Sequence, residues 1–388
     1  MEYLFWLSFI LLIYVYFLYP LIVSALGEKN KVTLSEKCGD FSDLSITIVV
    51  PAHNEESVIE EKILNHLKLK FDGDWMIHIL CDSCSDGTVS IVEKYVDIYP
   101  DKIAFTEVSG GLGKANAINT LMPEISSDIV VFSDANVMLD EHSLNYVADT
   151  LSNEVIGGVA GQLTYVNESK GGAAESNGMY WRYEEFLKEK ESNAGSLMGA
   201  DGSIFAIKRE LYRKLPIHVL DDFCTSMGVI VQGYQLKFDS RIKAYEKGAE
   251  KNSEEYSRKI RISNRSYNSY RFMRPELRAK LSVFDLWKLY SHKIFRWYSF
   301  VFMMITLVTS LYLSINSTFY SSMLIGQVFF YLVVFLHWKN LISEGSKLFK
   351  ISNICYYFFM VNCAAWIGIY QSLTGVKTIV WNKAETTR

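Results

Sequence analysis

The chain has 388 residues, enough for one large domain or two medium ones. Apolar residues make up 49 % and aromatic residues 14 %, which excludes disorder as the main state. With 39 basic and 43 acidic residues the net charge is −4, so no global basic field exists to make nucleic acid a partner.

In chain order, the first predicted element is a membrane helix over residues 1–27. Tyr3 to Gly27 carries no charged side chain. At roughly 1.5 Å per residue it exceeds the ~30 Å hydrocarbon core. A cleaved signal peptide is disfavoured because the basic leader is missing and the apolar run is too long.

Residues 28–275 contain no comparable run and are predicted to form a water-soluble domain. Ile46 to Pro51, Trp75 to Cys81, Ile103 to Val108 and Asp128 to Ser133 are short β-branched or apolar runs, predicted as buried strands. Helical spacing lies between them at Asn54–Leu69, Gly87–Tyr95 and Lys114–Leu121. This alternation predicts an α/β fold with a mainly parallel sheet and helices on both faces. In such sheets ligands bind at the carboxyl ends of the strands.

Polar clusters fall on those ends: His53-Asn54-Glu55, Asp82 with Asp86, Gly110 to Lys114, and Asp134-Ala135-Asn136. Each has a plain alternative as turn or helix-cap chemistry. Together, glycine backbone plus lysine suits a diphosphate, and alternating oxygen ligands suit a hard divalent cation. Asp221 and Asp222 open an apolar periodic stretch. They fit either a helix N-terminus or a carboxylate pair whose repulsion raises one pKa for general-base work. Arg258 and Arg261 lie three apart on one helical face, either solvated or as an anion clamp. Six cysteines make no disulfide framework, and the Cys81–Cys84 pair lacks a second pair to complete a zinc site.

Residues 276–296 mix basic, aromatic and apolar side chains and are predicted as an interfacial helix. Residues 297–388 form a membrane region. Trp297 to Trp338 is a charge-free run about twice one span, with a turn expected at Ser314 to Ser317. Ile351 to Val376 is a third run, spanning or re-entrant. Lys29, Lys31 and Lys37, then Lys288, Lys293 and Arg296, then Lys339, Lys347 and Lys350 flank these segments. Basic flanks mark the cytoplasmic side, where the soluble domain is expected. A fully spanning last segment would put Lys377, Lys383 and Arg388 outside, against that rule.

These residues together resemble a family 2 glycosyltransferase with the GT-A fold, of the membrane-embedded bacterial type that makes exopolysaccharide, cellulose, chitin or hyaluronan. The resemblance covers roughly residues 45–275. It rests on Pro51-Ala-His-Asn54-Glu55, on Asp82 to Thr88 with Asp86 inside it, and on Gly113-Lys114 through Asn119. It continues in Asp134-Ala-Asn136, Gly202-Ser203, Leu220-Asp221-Asp222 and Arg258 to Ile262. By resemblance, Pro51, Glu55, Asp82, Asp86, Lys114, Asp134, Arg258 and Arg261 hold a nucleotide-sugar donor, usually UDP-linked. Asp134 and Asn136 hold Mg²⁺ or Mn²⁺, Gly202 and Ser203 form the acceptor turn, and Asp222 with Asp221 supplies the base. Asn136 replaces the family's second metal carboxylate, and Asp221 replaces its glutamate. Ile262 replaces its tryptophan, leaving Trp181, Tyr183 and Tyr180 on the preceding helix as the candidates to stack on the acceptor sugar. The resemblance implies an inverting hexosyl- or N-acetylhexosaminyltransferase in surface-polysaccharide biosynthesis, acting on a glycan or lipid-linked acceptor. The enzyme is expected at the bacterial inner membrane, with membrane lipid and a homo-oligomer or secretion partner around it. A processive synthase, a polyprenyl-phosphate sugar transferase and a non-catalytic nucleotide-sugar scaffold are the alternatives.

Overall fold

A computed structural model describes residues 1–28, 39–167, 172–343 and 346–377, with the side chains of 172–174 left aside. Lys29, Lys31, Lys37, Lys383 and Arg388 lie outside the described residues. The chain opens with α1 (Glu2–Ile13), a π-helical turn (Tyr14–Leu18) and α2 (Tyr19–Glu28). The α/β domain follows as β1 (Ser45–Ala52), α3 (Ile59–His66), β2 (Asp74–Asp82), α4 (Thr88–Ile98), β3 (Ile103–Val108), α5 (Lys114–Leu121) and β4 (Ile129–Phe132). Its second half is β5 (Met138–Leu139), α6 (Ser143–Leu151), β6 (Ile156–Tyr165), α7 (Gly172–Asn193), β7 (Phe205–Lys208), α8 (Asp221–Val231), β8 (Gln235–Glu246) and α9 (Asn252–Lys280). The chain ends with α10 (Val283–Leu289), a second π-helical turn (Tyr290–Ile294), α11 (Phe295–Trp297), α12 (Ser299–Leu313), α13 (Thr318–Trp338) and α14 (Lys347–Leu373).

One eight-stranded sheet runs in the order β3-β2-β1-β4-β7-β6-β8-β5. The four strands read from the sequence are parallel neighbours, with Ile48 opposite Ile77 on one side and Val131 on the other. β7 joins both β4 and β6 antiparallel, and β6 pairs β8 parallel across two register shifts. The sheet is therefore mixed, and its reversal at β7 brings the second half of the domain against the carboxyl ends of β1 and β4. The two faces carry separate cores. Ile46, Ile48 and Val50 pack on one side, Val49, Val130 and Phe132 on the other, as the two-residue strand period requires.

α9 runs on to Lys280, so the domain edge expected at 275/276 falls inside a helix. Pro275 removes one backbone donor and favours a break there. The buried Met273 and Leu277 hold the helix against the domain on either side of it. The break comes instead at Leu281–Ser282, where the Ser282 hydroxyl accepts the Asp285 amide and starts α10. The turn expected at Ser314–Ser317 separates α12 from α13.

By length and composition, Glu2–Glu28, Thr318–Trp338 and Lys347–Leu373 are long and apolar enough to cross a membrane. The pair Val283–Trp297 and Ser299–Leu313, bent by 61°, makes up to a fourth. α14 nonetheless touches helices of the α/β domain near both ends. Asn353 donates to Ser176 Oγ and Tyr357 to Asn177, both on α7. Ser372 donates to Asn268, and Arg271 donates to the Ser372 carbonyl, both on α9. From 353 to 372 a helix advances about 28 Å, so a helix crossing the core could not keep both ends on one domain. α14 lies along the charged helix α9 instead.

Candidate active site

The carboxyl ends of β1 and β2 are tied to each other by short polar contacts. Asn54 adopts the left-handed conformation (φ 55°), and its side-chain oxygen accepts the Ser85 amide at 2.7 Å. His53 Nδ1 meets the Asp82 carbonyl at 2.6 Å, and Thr88 Oγ1 accepts the Glu55 amide at 2.7 Å. Asp82 is buried and accepts the Gly113 amide at 3.1 Å. Gly113 has φ 86°, a conformation costly for other residues, and turns the chain into α5 with Lys114 as its first residue. Asp86 accepts from the Thr88 amide and hydroxyl and from the Glu56 amide. It caps α4 as well as facing this loop cluster.

Lys114 joins the two halves of the domain. Its Nζ lies 2.8 Å from Asp134 Oδ1 and 3.0 Å from Asp221 Oδ2, and its side chain is 7 % exposed. Burial alone would lower its pKa, but Asp134, Asp221 and Asp222 outweigh it and hold the ammonium charged. A Cβ on Gly202 would sit 3.0 Å from Asp134 Oδ2 and 3.4 Å from Lys114 Nζ, so only glycine lets this turn approach so closely. Asp201 beside it pairs with Lys188 at 2.5 Å and also accepts from Ser203.

The two acids at the start of α8 are unequal. Asp221 faces Lys114 and, at 3.9 Å, Arg265. Asp222 accepts its neighbouring Phe223 amide at 2.5 Å. Burial, then the Asp221 charge, pushes its pKa up to about 8, against the pull of Lys114. A carboxyl poised near neutral pH suits proton abstraction.

A cavity of about 1030 Å³ brings these groups together. Lys114, Asp134, Gly202, Ser203, Asp221, Asp222, Arg258, Arg261, Trp181 and Tyr183 line it. Pro51, Glu55, Asp82, Asp86 and Asn136 stand outside it, at the adjoining strand ends. Ile262 faces the cavity rather than the core. Lys188 Nζ lies 4.6 Å from the Trp181 ring centre, and the Arg296 guanidinium 5.6 Å from that of Tyr183. Both rings thus already carry a cation on a face.

Other residues of the site have no motif. Lys62 is fully buried and donates to Ser133 Oγ at 2.7 Å and to the Val137 carbonyl at 2.5 Å. Ser133 in turn donates to the Ser203 carbonyl, so Lys62 fastens the Asp134 loop to the Gly202–Ser203 turn. Glu246 accepts from Asn136 Nδ2 at 2.9 Å and orients that amide. Lone lysines and glutamates on a helix or strand look like solvated positions in sequence, and only the packing distinguishes these.

Among the described residues no cluster of three or more His, Cys, Asp or Glu side chains has metal-holding geometry. Asp134 and Asn136 offer one carboxylate and one amide at a strand end. That number of protein oxygens fits a cation whose remaining ligands come from phosphate and water.

Residues 47–216 match the family model described as Glycosyl transferase family 2. The poly-beta-1,6-N-acetyl-D-glucosamine synthase of Staphylococcus aureus is 24 % identical over 232 residues, 58 % of this chain and 54 % of that protein. The chain thus spans about half the length of the curated relatives it matches. A solved structure, the mannosyltransferase PcManGT from Pyrobaculum calidifontis in complex with GDP-Man and Mn²⁺, superposes with a TM-score of 0.68 at 19 % identity. It covers 95 % of this chain and 99 % of that one. The fold is accordingly GT-A-like, an α/β domain with apolar helices before and after it.

Proposed function

We propose that this chain is an inverting glycosyltransferase that moves a sugar from a nucleotide-sugar, UDP-linked in most of the family it resembles, to a glycan or lipid-linked acceptor. The observation that carries this reading is the single cavity in which Lys114, Asp134 and the Asp221–Asp222 pair meet. Lys114 and Arg261 would neutralise the diphosphate of the donor, and the loops at Glu55, Asp82 and Gly113 would hold its nucleoside. Asp222 would take the proton of the acceptor hydroxyl. That oxygen then forms a bond to the anomeric carbon while the carbon–oxygen bond to the diphosphate breaks. One displacement inverts the centre, and the nucleoside diphosphate leaves with the electron pair. Asp134 and Asn136 would hold Mg²⁺ or Mn²⁺, which when bound supplies charge stabilisation to the leaving diphosphate. Lys62 and Glu246 keep those two side chains in place.

The soluble domain lies on the cytoplasmic side in this reading, and three segments cross the membrane: α1–α2, α12 and α13. With α14 along α9, Lys339, Lys347, Lys350 and Lys377 all fall on the domain's side, in keeping with the positive-inside rule. Surface-polysaccharide assembly at a bacterial inner membrane fits this arrangement. Processive synthesis is the second reading, supported by the polysaccharide synthase among its relatives. Ile262 in the cavity offers no flat ring to hold a growing glycan, which favours addition of one or a few sugars.

The test is mass spectrometry of products made by the purified full chain from a panel of nucleotide-sugars. A sugar added with inverted configuration, lost in excess EDTA, is expected. No transfer from any donor, or full activity in EDTA, refutes the corresponding part.

A further inference from the structure

The Cys81–Cys84 pair has no role in the chemistry proposed above. Cys81 lies near the end of β2, opposite Ala52 of β1, and is buried in the core on that face of the sheet. Ser83 then takes the left-handed conformation (φ 51°), uncommon for a residue with a side chain, and turns the chain back. Cys84 comes to rest half-buried beside the same rung, its thiol 3.6 Å from the Ala52 carbonyl oxygen. The two sulfurs share a hydrogen bond, and both are free thiols.

A metal would need more than these two ligands. Among the described residues no group of three or more His, Cys, Asp or Glu side chains is placed to hold one. What remains is a dithiol with one sulfur buried and the other within reach of solvent. Thiol–disulfide exchange uses that asymmetry, with an accessible sulfur that attacks and a second that resolves the product.

The electrostatics fall the same way. The hydrogen bond from Cys81 pulls the Cys84 thiol down to about 7, against burial and the Asp86 carboxylate, with the Asn54 backbone and His53 assisting. The same bond pushes Cys81 up, and burial, the Cys84 charge, Glu107 and Asp86 add to it. Near neutral pH Cys84 is thus the thiolate and Cys81 the thiol that donates to it.

We infer that Cys81 and Cys84 form a thiol-exchange site for a low-molecular-weight disulfide, R–S–S–R. The Cys84 thiolate attacks one of its sulfurs; a Cys84–S–S–R bond forms and R–S⁻ leaves. Cys81 gives its proton to that R–S⁻ and attacks the Cys84 sulfur; the Cys81–Cys84 bridge forms and the second R–S⁻ leaves. The protein loses two electrons, and R–S–S–R gains them to become two thiols once solvent protonates the second. In the reducing compartment expected for this domain the dithiol is the resting form.

A bridge would act on the candidate donor loops. The Ser83 amide donates to the Val108 carbonyl at 2.9 Å, Ser83 Oγ accepts the Gly111 amide at 2.8 Å, and Asp82 accepts the Gly113 amide at 3.1 Å. Drawing the sulfurs from hydrogen-bond contact to a covalent length of about 2.0 Å shifts Asp82 and Ser83, which lie between them. A nucleotide held by these loops should then bind more weakly. This consequence, unlike the exchange itself, rests on the donor reading.

The test exposes the full chain in detergent micelles to oxidised glutathione without any donor. Remaining thiols are then blocked with iodoacetamide under unfolding conditions, and peptides are mapped by mass spectrometry. A Cys81–Cys84 bridge is expected, reversed by dithiothreitol. In Cys81→Ser, Cys84 should keep the glutathione instead. In Cys84→Ser, Cys81 should stay a thiol, a check that stands even where the first variant does not fold. Recovery of both cysteines as blocked thiols overturns the inference, as does a bridge from Cys84 to any other cysteine. Binding of UDP and GDP is then compared between the dithiol and the bridged chain. About tenfold weaker binding is expected after bridging, the worth of one lost hydrogen bond. Equal affinity overturns the coupling to the loops. If neither nucleotide binds either form, the donor reading fails, while the peptide map still decides the exchange site.

Discussion

The strand-end loops proposed to hold the donor and the junction between the α/β domain and the apolar helices are both polar, but they are held in different ways. At the strand ends the backbone does the positioning. Glu55, Asp82 and Lys114 sit where strands stop and helices start, and their loops are fastened by amides and carbonyls. At the junction, side chain meets side chain between helices far apart in sequence. Tyr16 donates to Asn362, His292 bridges Glu184 and Glu191, and Ser372 donates to Asn268. The first arrangement tolerates changes at a distance, because a strand end stays where its sheet puts it. The second depends on how closely helices approach.

The largest effect is expected from Asp222→Asn, which removes the candidate base without changing shape. Turnover should fall at least about 10²-fold while donor binding persists. The unchanged protein should show kcat/KM rising about tenfold per pH unit below pH 8 and levelling above it. The sign follows from the raised pKa, since the base works only when deprotonated and its proton is lost near pH 8. A flat profile between pH 6 and 8, or near-normal turnover in Asp222→Asn, sinks the assignment.

Lys114→Met probes the point where the donor end meets the acid pair. It leaves Asp221 buried and opposite Asp134 with no ammonium between them. Breaking a buried pair from one side costs about 3–5 kcal/mol, so thermal unfolding of the soluble domain should come at clearly lower temperature. Donor affinity should fall with it. A variant as stable as the parent would show that the pair is not desolvated as the packing indicates.

How much of this was legible beforehand follows the same division. β1 to β4 were readable because each is a continuous β-branched or apolar run ending in a motif. β6 was not, since Ile156–Tyr165 carries three glycines, and β8 was hidden by charged residues at alternate positions. The acid pair and Lys114 could be named from spacing, but not their inequality, which comes from Lys114 lying against Asp221. At the junction only hydropathy was legible. It identified α12 and α13 and left α14 open, because the contacts that place α14 along α9 are tertiary. Lys62 gave no signal at all, since burial is not a property of a sequence.

Gly368→Ala tests the junction with a smaller change. A Cβ there would run into the Ile260 carbonyl oxygen and press on the Asn264 amide, so α14 would have to move off α9. Overpacking of this kind costs about 1–3 kcal/mol. Acceptor use should weaken more than donor binding, because Arg261 adjoins the displaced contact on α9 whereas Lys114 and Asp134 lie on other elements. Loss of donor binding with an intact fold would show that the two ends are coupled more tightly than their separate supports imply.

The smallest effect is expected at Asn136, and it separates two accounts of why that position is neutral. One is that the site needs only one carboxylate. The other is that Glu246, which accepts from Asn136 Nδ2 at 2.9 Å, would repel a second carboxylate there. In Asn136→Asp the donated bond is lost and two acids face each other, partly offset by Arg258 at 3.9 Å from Glu246. Without divalent cation the variant should be less stable than the parent by up to about 1–2 kcal/mol, the range for a hydrogen bond exchanged for a like-charge contact. Added Mn²⁺ should restore that difference, because a cation between the carboxylates converts repulsion into ligation. The measurement is the rise in melting temperature on adding Mn²⁺, expected to be larger in Asn136→Asp than in the parent. An equal rise in both would mean that position 136 does not meet the metal, leaving Asp134 as the protein ligand and Asn136 as a brace between the strand end and Glu246.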